Sequence, residues 1–168
     1  MDLSGKVAIV TGGASGIGKA VAEALHQRGA NIAVADLDAK AAQDVGKACG
    51  GFGEAVDVAN EAALTRFINK VERTLGPVDI YISNAGLGVT DGPGWGAGDA
   101  PNAAWDVCWQ VNVMASVFAA RHLARKIAAR QGHFVITASA AGLLAQIGDA
   151  PYSATKAAAV SFAECLAI

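Results

Sequence analysis

The sequence is poor in several features that mark other classes of protein. Only 17% of its 168 residues are charged, and the formal net charge is −2, with no basic stretch. This balance argues against nucleic acid as a partner. No apolar run approaches the ~18 residues that a membrane span needs, and the first residues, MDLSGKVAIVT, do not have the pattern of a secretory leader. We therefore expect a cytoplasmic protein with neither membrane nor nucleic-acid partners.

Cysteine and histidine are also scarce. The three cysteines, Cys49, Cys108 and Cys165, are odd in number and widely spaced, so they fit reduced thiols better than a disulfide framework. The three histidines lack the spacing of metal ligands. We expect no metal site.

Apolar sequence is abundant, and it forms short β-branched runs that alternate with Ala-rich helical stretches. Because 53% of the residues are hydrophobic, residues 1–168 can bury the core of one domain. The pattern predicts strands at 6–11, 31–36, near 54–57, 78–83 and 133–139, and helices at 16–29, near 38–49, 60–76, about 103–130 and 152–168. Such alternation indicates an α/β fold, a doubly wound parallel sheet in three αβα layers.

A glycine-rich segment, TGGASGIG (11–18), lies where the first predicted strand meets the first predicted helix. Unpaired N–H groups at a helix N-terminus attract phosphate, and glycines let the backbone approach it. A Gly-rich turn between core elements is the simpler alternative, but the strand–loop–helix context favours a dinucleotide site. The candidate cofactor-binding residues here are Gly12, Ser15, Gly16, Ile17 and Gly18.

Asp36 ends the second predicted strand, eighteen residues after Gly18. A carboxylate at this place bonds the ribose 2′-hydroxyl of NAD and repels the 2′-phosphate of NADP. No arginine adjoins Asp36, and the loop carries Ser15 where a basic residue would favour NADP. NAD is therefore the expected cofactor, unless Asp36 is only a solvated turn residue or the N-cap of the next helix.

Five motifs, taken in order, resemble the short-chain dehydrogenase/reductase family in its short single-domain branch. They are TGGASGIG, NAG at 84–86, Asn112, Ser139 and YSATK at 152–156. The resemblance covers the whole chain and implies a Rossmann fold. It also implies an NAD-dependent oxidoreductase that interconverts a secondary alcohol and a ketone.

Tyr152 and Lys156 are four residues apart on a predicted helix, so they lie on one face of it. A phenol is ordinarily a weak acid, and a nearby ammonium favours its ionised form, which suits general acid–base catalysis near neutral pH. The resemblance implies that the substrate proton passes through Tyr152 and that Lys156 also bonds the nicotinamide ribose. Alternatively, Tyr152 is an aromatic residue at a helix start and Lys156 a solvated one.

The resemblance assigns roles at four further places. Ser139, expected at the end of the fifth strand, would bond the substrate oxygen, unless it is only a turn former. Asn112 would shape the long helix and retain a water that connects Lys156 to solvent, or it only satisfies buried backbone groups. The ends of strands three and four would contact the cofactor. Alternatively, the end of strand three carries only a solvated acid, and the end of strand four is only a turn. The residues at these two ends are Asp57, Val58, Asn84, Ala85 and Gly86.

The resemblance implies more chain than is present, namely two further strands, a Pro-Gly turn at the nicotinamide and a mobile segment over the substrate. We therefore expect a C-terminally incomplete chain that ends at Ile168. Two functions then stay open: an active oxidoreductase, or a catalytically weak or inactive dinucleotide-binding fragment of one.

Two further expectations concern partners. The segments 86–95 and 141–150 are the expected pocket wall, and they suggest a mostly apolar small-molecule substrate through Val89, Trp95, Leu143, Leu144 and Ile147. The predicted helices 103–130 and 152–168 are apolar on more than one side. The resemblance implies that they pair with their copies across a two-fold axis, giving a homodimer or homotetramer.

Overall fold

The computed structural model of the chain describes residues 2–89, 92, 96–144 and 146–167. The strands in these ranges are β1 (Val7–Thr11), β2 (Asn31–Asp36), β3 (Phe52–Ala55), β4 (Ile80–Ser83) and β5 (His133–Ile136). The α-helices are α1 (Gly16–His26), α2 (Ala39–Ala48), α3 (Glu61–Thr74), α4 (Asn102–Trp109), α5 (Ala115–Ala129) and α6 (Ala150–Leu166). A π-helical segment, Gln110–Met114, joins α4 to α5, and a 3₁₀ turn occupies Ala140–Gly142.

The five strands form one parallel sheet in the order β3-β2-β1-β4-β5. β1 pairs with β2 from Val7↔Asn31 to Thr11↔Ala35, and with β4 from Ala8↔Ile80 to Val10↔Ile82. The chain thus builds one half of the sheet outward from β1 and then crosses back to build the other half from β4. Ligands bind at such a switch point, outside the carboxyl ends of the strands. The predicted doubly wound Rossmann architecture is confirmed.

Helices cover both faces of the sheet. Alternate strand residues point to opposite sides, and the apolar residues on each side need a helical layer to bury them. In β1, Val7 and Ile9 enter one core cluster, and Ala8 and Val10 enter the other. The first cluster is completed by α3 and α5, through Leu64, Phe67, Ile68, Val71, Ala119, Leu123 and Ile127. The second is completed by α1 and α2, through Ala22, Ala42 and Val45. These are the three predicted layers.

Two strands end earlier than their composition predicts. β3 ends at Ala55, so Asp57 and Val58 follow the strand instead of ending it. The Asp57 side chain turns the backbone there, because its Oδ1 accepts a hydrogen bond from the amide of Ala59 at 2.9 Å. β5 ends at Ile136, three residues before Ser139. Pairing with β4 stops there, since β4 itself ends at Ser83.

The long helix predicted over 103–130 is helical throughout, but its hydrogen-bonding pattern changes at Gln110–Met114. A π-helical turn carries one extra residue and often occurs at a functional site. The apolar sequence pattern continues across this segment, so hydrophobic periodicity did not reveal it. Asn112, buried and 3% exposed, lies at its centre.

Within the described ranges, no helix is long and apolar enough to cross a bilayer. No group of three or more potential metal ligands is placed together there. Cys49, Cys108 and Cys165 are free thiols.

Asp79, just before β4, joins three separate parts of the fold. Its Oδ2 accepts from the amide of Val7 at 3.1 Å, and its Oδ1 accepts from Lys6 Nζ at 3.2 Å and Arg130 Nη2 at 2.9 Å. Burial raises the pKa of Asp79, but these three donors outweigh burial and hold the pKa below its usual value. The carboxylate therefore links the start of β1 to the end of α5.

Replacing Asp79 by asparagine should lower the free energy of unfolding by about 1–3 kcal/mol at neutral pH. Because the folded-state pKa is lowered, this stabilisation is present above the ordinary carboxyl pKa, ~4. It is lost as the pH falls through the lower folded-state pKa. Urea unfolding across acidic and neutral pH would measure it, with Asp44→Asn as a control that breaks only an exposed pair with Lys40. A destabilisation of Asp79→Asn that does not shrink in acid would contradict the prediction.

Candidate functional site

A cavity of about 940 Å³ opens at the carboxyl ends of the strands. The loops after all five strands and the start of α6 contribute to its lining. Thirteen of the predicted site residues line it: Gly12, Ser15, Gly16, Ile17, Asp36, Asp57, Val58, Asn84, Ala85, Gly86, Ser139, Tyr152 and Lys156. Gly18 and Asn112 are not among the lining residues.

Two glycines let the loop after β1 pack closely against its neighbours. Gly12 has a φ of +60°, a left-handed conformation that favours glycine, and a Cβ there would lie 2.9 Å from the Cα of Ala85. A Cβ on Gly18 would overlap the carbonyl oxygen of Gly12. The two positions therefore set how α1 begins beside the end of β4.

The N-terminus of α1 opens onto the cavity without a side-chain cap. Ser15 occupies the N-cap position but its side chain makes no capping hydrogen bond, whereas α2 and α3 are capped by Asp38 and Asn60. Gly16 lines the cavity, and a Cβ there would meet no atom within 4 Å. The helix start thus combines partial positive charge with open space, the two conditions that phosphate binding requires.

Asp36 is oriented by the backbone at the end of β2. Its Oδ2 accepts from the amide of Ala14 at 3.0 Å, and its Oδ1 accepts from the amide of Asp38 at 3.2 Å. Asp38 caps α2 through the amide of Ala41, so Asp36 is not the N-cap. Among the described lining residues the only lysine or arginine is Lys156, on α6. Asp36 therefore lines the cavity with a carboxylate that two backbone amides hold in place.

Asn84 ties together the ends of β1, β4 and the segment after β5. Its Nδ2 donates to the carbonyl oxygens of Thr11 and Gly12, both at 3.1 Å, and its Oδ1 accepts from Thr137 Oγ1 at 3.1 Å. Thr11 Oγ1 also accepts from the amides of Asn84 and Ala85. Asn84 is thus more than a plain turn residue, because its side chain positions the loops around it.

Tyr152 and Lys156 share one face of α6, as their spacing predicts. Lys156 Nζ lies 5.6 Å from the centroid of the Tyr152 ring and donates to the carbonyl oxygen of Thr137 at 2.8 Å. The lysine is only 4% exposed, and this burial lowers the pKa of Lys156. The ammonium is therefore fixed beside the tyrosine.

Asn112 hydrogen-bonds protein groups on two other segments. Its Oδ1 accepts from the amide of Leu87 and its Nδ2 donates to the Leu87 carbonyl, both at 2.9 Å. The same Nδ2 donates to Thr155 Oγ1 at 2.9 Å, and Thr155 directly precedes Lys156. Asn112 thus satisfies buried groups of Leu87 and links the π-helical segment to α6, while the proposed water that would connect Lys156 to solvent stays a prediction.

Three polar lining residues were not singled out from the sequence, Thr137, Gln146 and Asp149, although the last two lie in the predicted segment 141–150. Asp149 caps α6, because its Oδ1 accepts from the amide of Tyr152 at 3.1 Å. A carboxylate just before a predicted helix is a recognisable N-cap signal. Ser139 likewise caps the 3₁₀ turn that follows it, through the amide of Ala141 at 3.2 Å.

The predicted apolar wall is only partly correct. The two segments that were predicted contribute Gly86, Leu87, Gly88, Gln146 and Asp149 to the lining. Val89 is not a lining residue, and neither are three side chains that are 70–86% exposed, Leu143, Leu144 and Ile147. The 3₁₀ turn leads into this stretch and leaves those three side chains outside. Trp95 lies outside the described residues.

Known proteins resemble this chain over nearly its whole length. The family model for short chain dehydrogenase matches residues 6–168. (+)-Borneol dehydrogenase 1 of Salvia officinalis is 34% identical over 171 aligned residues, which cover 98% of this chain and 64% of the plant protein. A short chain dehydrogenase/reductase from Burkholderia phymatum, crystallised in complex with NAD, superposes with a TM-score of 0.89 at 33% identity, covering 99% of this chain and 60% of that one.

An NADPH-dependent 3-quinuclidinone reductase from Rhodotorula rubra superposes with a TM-score of 0.85 at 31% identity, covering 99% of this chain and 65% of that one. The chain thus spans 60–65% of the length of these three proteins. Sequence and structure agree on one family, since the matches run through the glycine loop, the sheet and the Tyr-x-x-x-Lys helix. The chain belongs to the short chain dehydrogenase family.

Proposed function

We propose that this protein is an NAD-dependent oxidoreductase that interconverts a secondary alcohol and a ketone, with Tyr152 as the general acid or base. The observation that carries the proposal is a single cavity that holds the glycine loop, Asp36, Tyr152 and Lys156. Its volume of about 940 Å³ is at the upper end of the ~300–1,000 Å³ typical of ligand pockets.

The residues around the cavity fit a nicotinamide dinucleotide. The uncapped start of α1, with open space at Gly16, suits a pyrophosphate. Each carboxylate oxygen of Asp36 accepts one hydrogen bond from a backbone amide. Both oxygens can accept further hydrogen bonds from ribose hydroxyls. Its negative charge favours NAD over NADP. Contacts from Asp57, Val58, Ala85 and Gly86 are part of the same proposal.

Tyr152 and Lys156 supply the proton chemistry. When bound, the nicotinamide would accept or provide the hydride. In the oxidation direction, the Tyr152 oxygen takes the hydroxyl proton while the carbinol carbon becomes a carbonyl carbon. The Lys156 ammonium, 5.6 Å from the tyrosine ring centroid, stabilises the phenolate that this step needs. Lys156 also binds the nicotinamide ribose, and Ser139 donates a hydrogen bond to the substrate oxygen.

The activity is tested by NADH absorbance with NAD⁺ and a panel of secondary alcohols. Turnover supports the oxidoreductase. NAD⁺ binding without turnover across the panel would favour the second hypothesis, a dinucleotide-binding fragment that is catalytically weak or inactive.

Cofactor choice gives a separate prediction. Calorimetry should find NAD⁺ bound more tightly than NADP⁺, and Asp36→Ala should weaken NAD⁺ by about tenfold to a hundredfold. Losing a hydrogen bond to a charged acceptor costs ~1.5–3 kcal/mol. Asp44→Ala removes an exposed carboxylate of α2 outside the cavity and serves as the control. Tighter NADP⁺ binding by the unaltered protein would refute this assignment of Asp36.

We also propose assembly into a homodimer or homotetramer through α4, α5 and α6. Three apolar side chains of α4 are exposed, Trp105 at 36%, Val107 at 39% and Trp109 at 44%, and an exposed aromatic cluster favours a protein interface. A cytoplasmic location and a single domain stay predictions.

A further inference from the structure

Asp149 lies beside Tyr152 at the start of α6, and the proton chemistry proposed above does not use it. It lines the cavity together with Leu87, Gly88, Ser139 and Gln146. A Cβ at Gly88 would contact both Asp149 Oδ2 and the Tyr152 ring, so Gly88 and Asp149 lie next to Tyr152. A group attached to the reacting carbon of a substrate would therefore meet them.

The two carboxylate oxygens of Asp149 have different environments. Oδ1 accepts from the amide of Tyr152 and caps α6. Oδ2 packs against Gly88, where a Cβ would overlap it. Among the residues that the structure describes, no donor is paired with Oδ2, and no lysine, arginine or histidine forms an ion pair with Asp149. This oxygen keeps its acceptor capacity for a ligand.

The charge of Asp149 is not balanced by the lysine on the same helix. Lys156 directs its ammonium to the carbonyl oxygen of Thr137. Burial, and then the Asp149 charge, raise the pKa of the buried Cys108 thiol. A substrate carboxylate placed here would be repelled, whereas a hydroxyl or an ammonium would be bound.

We propose that Asp149 selects the substrate class: secondary alcohols, or the matching ketones, that carry a second hydroxyl or an ammonium group next to the reacting carbon. Hydroxy acids are rejected. This inference rests on the proposed function, because it places the reacting carbon at Tyr152. A purely structural role as the cap of α6 is the competing explanation.

Asp149→Asn separates the two explanations, because asparagine is as good an N-cap as aspartate but carries no charge. Four probes of one skeleton complete the design: 1-amino-2-propanol, 1,2-propanediol, 2-butanol and lactate. They present an ammonium, a hydroxyl, a methyl and a carboxylate at the same place. Asp106→Asn is the control variant, since Asp106 is exposed on α4 and does not line the cavity.

Two readouts are taken with NAD⁺ present: kcat/KM from NADH absorbance, and probe binding from saturation-transfer NMR. The unaltered protein should prefer 1-amino-2-propanol and 1,2-propanediol to 2-butanol, and lactate should rank last. In Asp149→Asn the ratio of 1-amino-2-propanol to lactate should fall about tenfold or more, as expected for removing one charge ~6 Å from another in a partly solvated site. Thermal unfolding should match that of the unaltered protein.

The outcomes are distinct. If probe binding depends on charge and Asp149→Asn abolishes that dependence, the selectivity assigned to Asp149 is supported. If at the same time no probe is turned over, the result counts against the proposed function. The same ranking of probes before and after Asp149→Asn overturns the proposal and leaves Asp149 as a helix cap. Failure of all four probes to bind the unaltered protein overturns it as well.

Discussion

Replacing Tyr152 by phenylalanine is expected to lower turnover by about 10²–10⁴-fold, the usual contribution of a general acid or base, while NAD⁺ binds as before. The phenol oxygen is the only group removed, and the ring keeps its place beside the Lys156 ammonium. Steady-state NADH formation measures the loss, and calorimetry measures binding.

Two comparisons make this result specific. Tyr81→Phe is the matched control, because Tyr81 is fully buried against Phe134 and does not line the cavity. Its turnover should stay close to that of the unaltered protein. Lys156→Ala should weaken both NAD⁺ binding and turnover, since we assign it to both. If Tyr152→Phe turned over within a few-fold of the unaltered protein, Tyr152 would have no part in proton transfer.

Changing Gly18 to alanine should have the largest structural effect on the site. The added methyl would overlap the carbonyl oxygen of Gly12 and crowd the side-chain amide of Asn84. The start of α1 would then have to move. We expect a loss of about 1–3 kcal/mol in the free energy of unfolding, as in other overpacked positions. NAD⁺ affinity should fall by about tenfold or more, because the displaced amides are those proposed to bind pyrophosphate.

The control for this change is Gly98→Ala. A Cβ on Gly98 would meet no atom within 4 Å, so the same chemical substitution adds no overlap. Urea unfolding and calorimetry with NAD⁺ should separate the two variants clearly. Equal stability and equal affinity in Gly18→Ala and Gly98→Ala would show that the close approach at Gly18 does not matter.

Much of the fold could be predicted because its signals are local. A strand needs a few consecutive β-branched residues, and a helix shows its apolar face every three or four positions. The glycine loop was visible for the same reason, since β1, the loop and α1 follow one another in the chain. Tyr152 and Lys156 are four residues apart, so helix geometry alone places them on one face.

Element ends were harder to predict because they depend on pairing partners. β5 stops at Ile136 where its neighbour β4 stops, although the predicted strand runs to Ser139. The π-helical turn around Asn112 gave no periodic signal. The Asn112 side chain hydrogen-bonds Leu87 and Thr155, which lie 25 and 43 residues away in the chain.

By itself, then, the sequence determined the order of strands and helices, the doubly wound sheet and the candidate residues that sit next to one another in the chain. Only the tertiary structure decided which loops meet. It joined Asn84 to Thr137. Within the predicted segment 141–150 it made Gln146 and Asp149 the lining residues and left Leu143 and Ile147 outside the lining. The physical reason is that propensity and periodicity act over a few residues, whereas contacts between loops are set by how the layers pack.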